Sequence, residues 1–202
     1  MSKGIDLKGS TRTISEFFEY SINSILYQRG IYPAEDFTTV KKYDLTLMRT
    51  HDDELKQYIR KILSQVHKWL LSGKCNKLVL CVVDRDEGDT VERWAFNVTH
   101  ISKEPQESIT EEVTPISQEE TQKQIRALIR QITASVTFLP ELENEGNYTF
   151  NVLAYTDADA IVPLEWSDSS SKEIEDGEMV EFRSFNTEMH KIGAQVSYKY
   201  QQ

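Results

Sequence analysis

Leu78-Val79-Leu80-Cys81-Val82-Val83 is apolar at every position, so both faces of the strand it forms are buried and it lies at the centre of a sheet. Residues 84–89, which include Gly88, turn the chain back into Val91 to Thr99. There Trp94, Phe96 and Val98 fall on one face by period-two alternation, and the two strands form an antiparallel hairpin. A sheet with an apolar centre needs cover, and the remaining sequence offers three amphipathic helices to provide it.

The first has the stripe Ile14, Phe17, Phe18, Ile22, Ile25 and Leu26, at the three-and-four spacing of one helix face. Thr13 with Glu16 fits a capping box at its start and Ser10 is an equally good cap; Gly30 and Pro33 end it. The second has Leu55, Ile59, Ile62, Leu63, Val66, Trp69 and Leu70, opened by Thr50 or Asp52 and closed by Gly73. The third has Ile125, Leu128, Ile129, Ile132 and Val136, with Ser117 and Glu120 as its capping box. Its β-branched end, Ile132 to Phe138, pits helical frame against strand propensity, and the helix is expected to reach about Thr137.

Further strands are expected at Phe37 to Tyr43 and Leu45 to Thr50 around Asp44, at Tyr148 to Tyr155, at Met179 to Phe185 and at Ala194 to Tyr200. Tyr148, Phe150, Val152 and Ala154 share one face of theirs. Ser102 to Ile116 and Ser167 to Glu178 are polar and acidic and read as mobile loops. Helices plus a mostly antiparallel sheet make an α+β domain.

The chain has 202 residues, 39% hydrophobic and 28% charged, apolar mass enough for one core and one domain. Its formal charge of −10 opposes a sequence-independent grip on nucleic acid or anionic membrane. Two cysteines, Cys75 and Cys81, give no disulfide framework, and Met1 to Asp6 has no apolar leader, so a reducing compartment, cytosol or nucleus, is expected.

Catalytic signatures are missing. The sequence contains no GxGxxG, P-loop, GxSxG or HExxH pattern. His51, His67, His100 and His190 stand at no zinc spacing, and Asp157 with Asp159 lacks further oxygen ligands and reads as a turn. Neither metal nor cofactor nor catalytic residue is expected. Arg126, Arg130 and Gln131 sit away from the third helix's apolar stripe, a solvated face or an interface. Trp166 follows Val162-Pro163-Leu164 beside a polar loop and reads as a core anchor or as part of a segment that docks and undocks.

Ser24-Ile25-Leu26-Tyr27-Gln28-Arg29-Gly30-Ile31-Tyr32-Pro33 and Ile129-Arg130-Gln131-Ile132-Thr133-Ala134-Ser135-Val136-Thr137-Phe138-Leu139-Pro140 closely resemble the spindle-checkpoint members of the HORMA domain family, with a fungal character. So do Leu7-Lys8-Gly9-Ser10, Glu92-Arg93-Trp94, Val162-Pro163 with Trp166, and Arg183-Ser184-Phe185 with His190-Lys191. The resemblance spans nearly the whole chain in order. It implies one HORMA domain over 1–202, with a core of 10–155 and a C-terminal safety belt of 156–202. Three helices would cover one face of the sheet and a short hairpin the other.

The family resemblance further implies two placements of the belt. In the open form the belt occupies the edge of the strand comprising Thr149, Phe150, Asn151, Val152, Leu153, Ala154 and Tyr155. In the closed form it pairs with the Glu92 to Thr99 strand, and a partner peptide takes the vacated edge. Trp166, Phe182, Phe185, Val196 and Tyr198 are the belt residues so implied, and the segment at Leu7 would yield its place on closing. Arg130, Gln131 and Phe138 would form the contact of an open–closed homodimer.

The implied role is a spindle assembly checkpoint adaptor, not an enzyme, of nucleus, kinetochore and cytoplasm. It would bind the coiled-coil kinetochore receptor (mitotic arrest deficient one), other checkpoint complex components and the mitotic activator of the anaphase-promoting complex, inhibiting the activator. Two readings compete with it. A HORMA adaptor in translesion DNA synthesis would use the same belt for another peptide, against the motifs quoted, and a small hydrolase would need activity that depends on Asp157 or His67. Asp44 and the acidic loop 102–117 depart from many relatives.

Overall fold

The computed structural model describes residues 7–101, 116–143 and 147–200. Its helices are α1 (Leu7–Gln28), α2 (Asp53–Leu71) and α3 (Gln118–Ala134). Its strands are β1 (Phe37–Lys42), β2 (Leu45–Thr50), β3 (Cys75–Asp84), β4 (Thr90–His100), β5 (Tyr148–Thr156), β6 (Glu178–Glu181), β7 (Phe185–Asn186) and β8 (His190–Tyr198). The main sheet runs β5-β3-β4-β8-β6, with β7 beside another part of β8. All its pairings are antiparallel. β3 is thus flanked on both sides, and Leu78, Val79, Leu80, Cys81 and Val82 are at most 1% exposed.

Helices cover one face of this sheet. Phe17 and Phe18 of α1 meet Phe96 of β4 at centroid distances of 5.7 and 5.8 Å, edge-on as ring quadrupoles favour. Both α1 and α2 stop where glycine adopts positive φ, Gly30 at 64° and Gly73 at 70°, so that Ile31 and Lys74 donate back to Leu26 and Trp69. The Asp52 side chain caps α2 by accepting from Leu55 N–H, and that of Ser117 caps α3 by accepting from Glu120 N–H.

Four expectations need correction. The β1-β2 hairpin does not lie on the sheet's far face: its contacts run to α1, and Arg126 of α3 donates to Tyr43 O and pairs with Asp44, because Phe37, Tyr43 and Leu47 are buried with the helices. Its tight turn holds Tyr43 and Asp44 at φ 54° and 56°, the left-handed pair whose twist suits a two-residue hairpin. Second, α1 starts at Leu7, so neither Ser10 nor Thr13 is its cap. Third, α3 ends at Ala134 and its β-branched end tightens into a 3₁₀ turn over Ser135–Thr137. Fourth, the strand expected over Met179 to Phe185 is two pieces, and the last strand begins at His190 and ends at Tyr198.

The loop expectation for residues 102–115 lies outside the described residues. Residues 167–173 are exposed and in no helix or strand, yet the segment is fastened to the sheet. On the face away from the helices, Val79, Cys81 and Ala95 form a small cluster at 0% exposure, bordered by Val83, Leu153 and Tyr155. Ser171 is tied down beside it, its carbonyl accepting from Arg93.

Candidate functional site

β5 is the last strand of its sheet, and among the described residues no strand pairs with its outer side. In an antiparallel strand alternate residues aim their N–H and C=O groups at the neighbour and the rest aim away. The outer side of β5 therefore presents a row of donors and acceptors suited to an added strand. Val152 and Ala154 pack against the helix-side core, and Leu153 and Tyr155 against the opposite cluster. Asn151 is exposed and Thr149 half-buried. Phe150 is buried against the Tyr58 ring, 5.7 Å away.

A groove of about 640 Å³ runs along this edge between Tyr58, Ile62 and Lys68 of α2 and Trp166, Ser167 and Ser169. It adjoins a second cavity of about 300 Å³ lined by Leu153, Tyr155, Trp166 and residues 168–171. An extended chain here would send alternate side chains toward α2 and toward the opposite face of the sheet.

The chain after β5 encloses this groove. Lys74 pairs with Asp159 at 2.8 Å, and Ala160 N–H donates to Asp157 O at 3.0 Å, closing the turn expected at Asp157 and Asp159. The Trp69 indole donates to Ile161 O at 3.0 Å, and its ring meets Trp166 edge-on at 5.0 Å. Past Trp166 the chain rounds the β5 edge to the other face of the sheet, where Arg93 donates to Ser171 O. It then forms β6 and β7 along β8, while β8 lies against β4 from Glu92↔Tyr198 to His100↔His190.

Apolar anchors seat this last portion. Phe185 is fully buried 4.8 Å from the Phe17 ring, Phe182 stacks on Trp94 at 5.8 Å, and Ile192, Ala194 and Val196 face the core. Tyr198 is half-buried. Helix α3 adds polar tethers that the sequence reading missed. Thr121 donates to Asn186 O, Gln124 accepts from Asn186 N–H, and Gln131 accepts from Arg183 N–H, at 2.7, 2.8 and 2.7 Å. Positions 121, 124 and 131 share a helix face, and that spacing beside the apolar stripe was the available signal.

Two buried polar clusters also went unread. The Glu92 carboxylate, 1% exposed, meets Arg29 Nε at 2.9 Å and accepts from the Trp94 indole; burial pushes its pKa up, against the pull of Arg29 and Trp94. At the other end of β4, Ser10 Oγ lies 2.6 Å from both Thr187 Oγ1 and His190 Nδ1, and the His190 ring lies 4.7 Å from that of His100.

Burial, and secondarily His100, lowers the His190 pKa from 6.5 to about 4. Above 6.5 the imidazole is neutral in folded and unfolded chains alike. Between 6.5 and 4 the unfolded chain takes up a proton that the folded chain refuses, so stability falls with pH by up to about 3 kcal/mol. Urea titrations of the parent and of His190→Gln across this range should show a smaller loss in the variant. Equal losses would assign the acid sensitivity to other groups.

Arg130 and Phe138 are exposed, Phe138 at 43%, and lie near each other in sequence at the end of α3. Gln131 is half-buried and already engaged by Arg183. His67 contacts Ser15 Oγ at 3.0 Å. Among the described residues no group of three or more His, Cys, Asp or Glu could hold a metal ion, and no helix is long and apolar enough to cross a membrane.

The HORMA domain model matches residues 10–190. The chain is 72% identical to the mitotic spindle checkpoint component MAD2 of Saccharomyces cerevisiae over 202 residues, covering 99% of this chain and 100% of that protein. It is 44% identical to human mitotic spindle assembly checkpoint protein MAD2A, covering 98% of this chain and 94% of the relative. Among solved structures, a chain of the mitotic checkpoint complex superposes with a TM-score of 0.85 at 49% identity, covering 95% of this chain and 99% of that one.

Proposed function

The chain belongs to the HORMA domain family, and from that premise we propose how it acts as a component of the spindle assembly checkpoint: it captures an extended peptide of a partner on β5 and closes residues 156–202 over it. One observation carries this reading. β8 lies on β4 while the outer side of β5 faces a groove roofed by the chain that leaves it. We read this arrangement as the closed placement of the belt. The backbone of β5 supplies affinity for any extended segment, the side-chain pockets supply selectivity, and enclosure slows release.

Binding partner peptides and checkpoint complex components needs no catalytic group. We propose the coiled-coil kinetochore receptor and the activator of the anaphase-promoting complex as the sources of the peptide, with the activator inhibited by sequestration. Work at kinetochores follows from the checkpoint role, and we propose the nucleus and cytoplasm as its compartments. The exposed Arg130 and Phe138, with Gln131, form the proposed contact between an open and a closed copy.

Anion exchange of the purified chain, with and without synthetic peptides tiled across the receptor and the activator, tests this reading. Two peaks that interconvert on warming and merge when one peptide is added are expected. In light scattering, Arg130→Glu should abolish self-association and leave peptide capture intact. Failure of every peptide to bind would sink the peptide-capture reading, and an unchanged oligomer would sink the assignment of Arg130.

A further inference from the structure

Arg93 lies on β4 opposite Cys81, on the sheet face away from the helices, and is 6% exposed. Among the described residues its guanidinium has no carboxylate partner. It donates instead from Nε to Ser171 O at 3.1 Å and from a terminal nitrogen to Tyr155 Oη at 2.8 Å. A buried cation without a counter-charge is costly, and here part of the compensation comes from a carbonyl that is present only while residues 167–172 lie down on the sheet. The segment has little else to hold it. From Ser167 to Glu173 it offers no apolar side chain and every residue is exposed. Trp166, packed on Trp69, fastens it on the helix side of the β5 edge, and Arg93 fastens it on the other.

Tyr155 adds a link to the groove. It belongs to β5 itself, Lys77 Nζ sits 4.9 Å from its ring centroid, and its hydroxyl orients the Arg93 guanidinium. The edge strand and the segment that crosses it thus meet at one side chain, while the β4-β8 ladder runs independently of it.

We propose that Arg93 is the latch of this crossing: a positioning residue that holds residues 167–172 over the β5 edge and so sets how long an extended peptide stays there. The proposal rests on the peptide-capture reading above. An arginine suits the task because its planar fork grips two acceptors at once and regains water when the segment lifts, whereas an apolar seal would lose by lifting.

The test uses the full chain with Arg93→Ala and Arg93→Lys. A labelled peptide that binds the parent is loaded on each, and release is followed after adding unlabelled competitor. Losing charge-assisted bonds of this kind should speed release about tenfold or more for Arg93→Ala, with Arg93→Lys between it and the parent and association little changed. Unchanged release overturns the proposal.

A second measurement needs no peptide. Cys81 is 0% exposed beneath this segment, so in a Cys75→Ala background its alkylation by iodoacetamide counts excursions of the segment from the sheet. Arg93→Met, which keeps a stem opposite Cys81 and makes neither hydrogen bond, should raise that rate about tenfold as well, its anion-exchange peaks shifted only by the lost charge; loss of the cation near Cys81 works against thiolate formation and cannot account for a rise. An unchanged rate overturns the latch even where release is faster. If the parent captures no peptide, the peptide-capture reading fails and this proposal with it, and the Cys81 rate then shows separately whether Arg93 fastens the segment.

Discussion

Glu92→Ala should lower folding stability by about 3–5 kcal/mol in urea titration, the cost of stranding a buried charge. The carboxylate is 1% exposed and joins three parts of the chain. It accepts from Arg29 at the end of α1 and from Trp94 on its own strand, and Arg29 in turn donates to Pro140 O beyond α3 at 2.5 Å. Removing it leaves a guanidinium 4% exposed with one carbonyl and no counter-charge, and an indole N–H without its acceptor. Glu92→Gln keeps acceptors in place and should fall between parent and alanine. Replacing both partners, as in Arg29→Met with Glu92→Leu, should cost less than Glu92→Ala, since no charge then remains to desolvate. A loss below about 1 kcal/mol for Glu92→Ala, the range of an exposed pair, would mean that water reaches the pair and that it does not join these elements.

Truncation after Ile192 is expected to abolish stable peptide capture, with no complex surviving gel filtration. The cut removes β4 pairings from Asn97↔Gly193 to Glu92↔Tyr198. It also removes every β8 partner of β6 and takes Ala194 and Val196, 4% and 0% exposed, out of the core. Residues 178–184 then keep Gln131 of α3 and the stack of Phe182 on Trp94, and no strand partner. The outer side of β4 is left as an open edge, so some self-association of the truncated chain is also expected. A truncated chain that released peptide within about tenfold of the parent rate, a difference of about 1.4 kcal/mol, would show that the belt does not retain the ligand.

The central strand was legible because burial on both faces leaves an unbroken apolar run, and the three helices because their stripes hold one period. Asp52 and Ser117 were legible as caps because capping is local chemistry. The hairpin's location was not: an alternating pattern says that Phe37 and Leu47 are covered, not by which layer. The break after Glu181 has a long-range cause, since Arg183 N–H bonds to Gln131 of α3, 52 positions away, rather than continuing the ladder. Arg93 reads as an ordinary polar position in a strand until Ser171, 78 positions on, is seen beside it. Ser10 and His190, 180 apart, pose the same difficulty. At the β5 edge the sequence supplied strand and alternation. The groove appeared only when α2 and Trp166 were placed on either side of it.

The route of the chain from Thr156 to β8 has a topological meaning. With β8 on one side of the sheet and the crossing held at Trp69 and Arg93 on either side of β5, the segment is an arch whose feet both stand on the protein. A strand lying along β5 would be threaded beneath that arch like the axle of a rotaxane. A short peptide could leave lengthwise. A segment inside a long protein, flanked by folded domains too large to pass, would be a mechanically locked guest, and pulling on either end would tighten the stopper against the arch. Its freedom would depend on the arch lifting a foot.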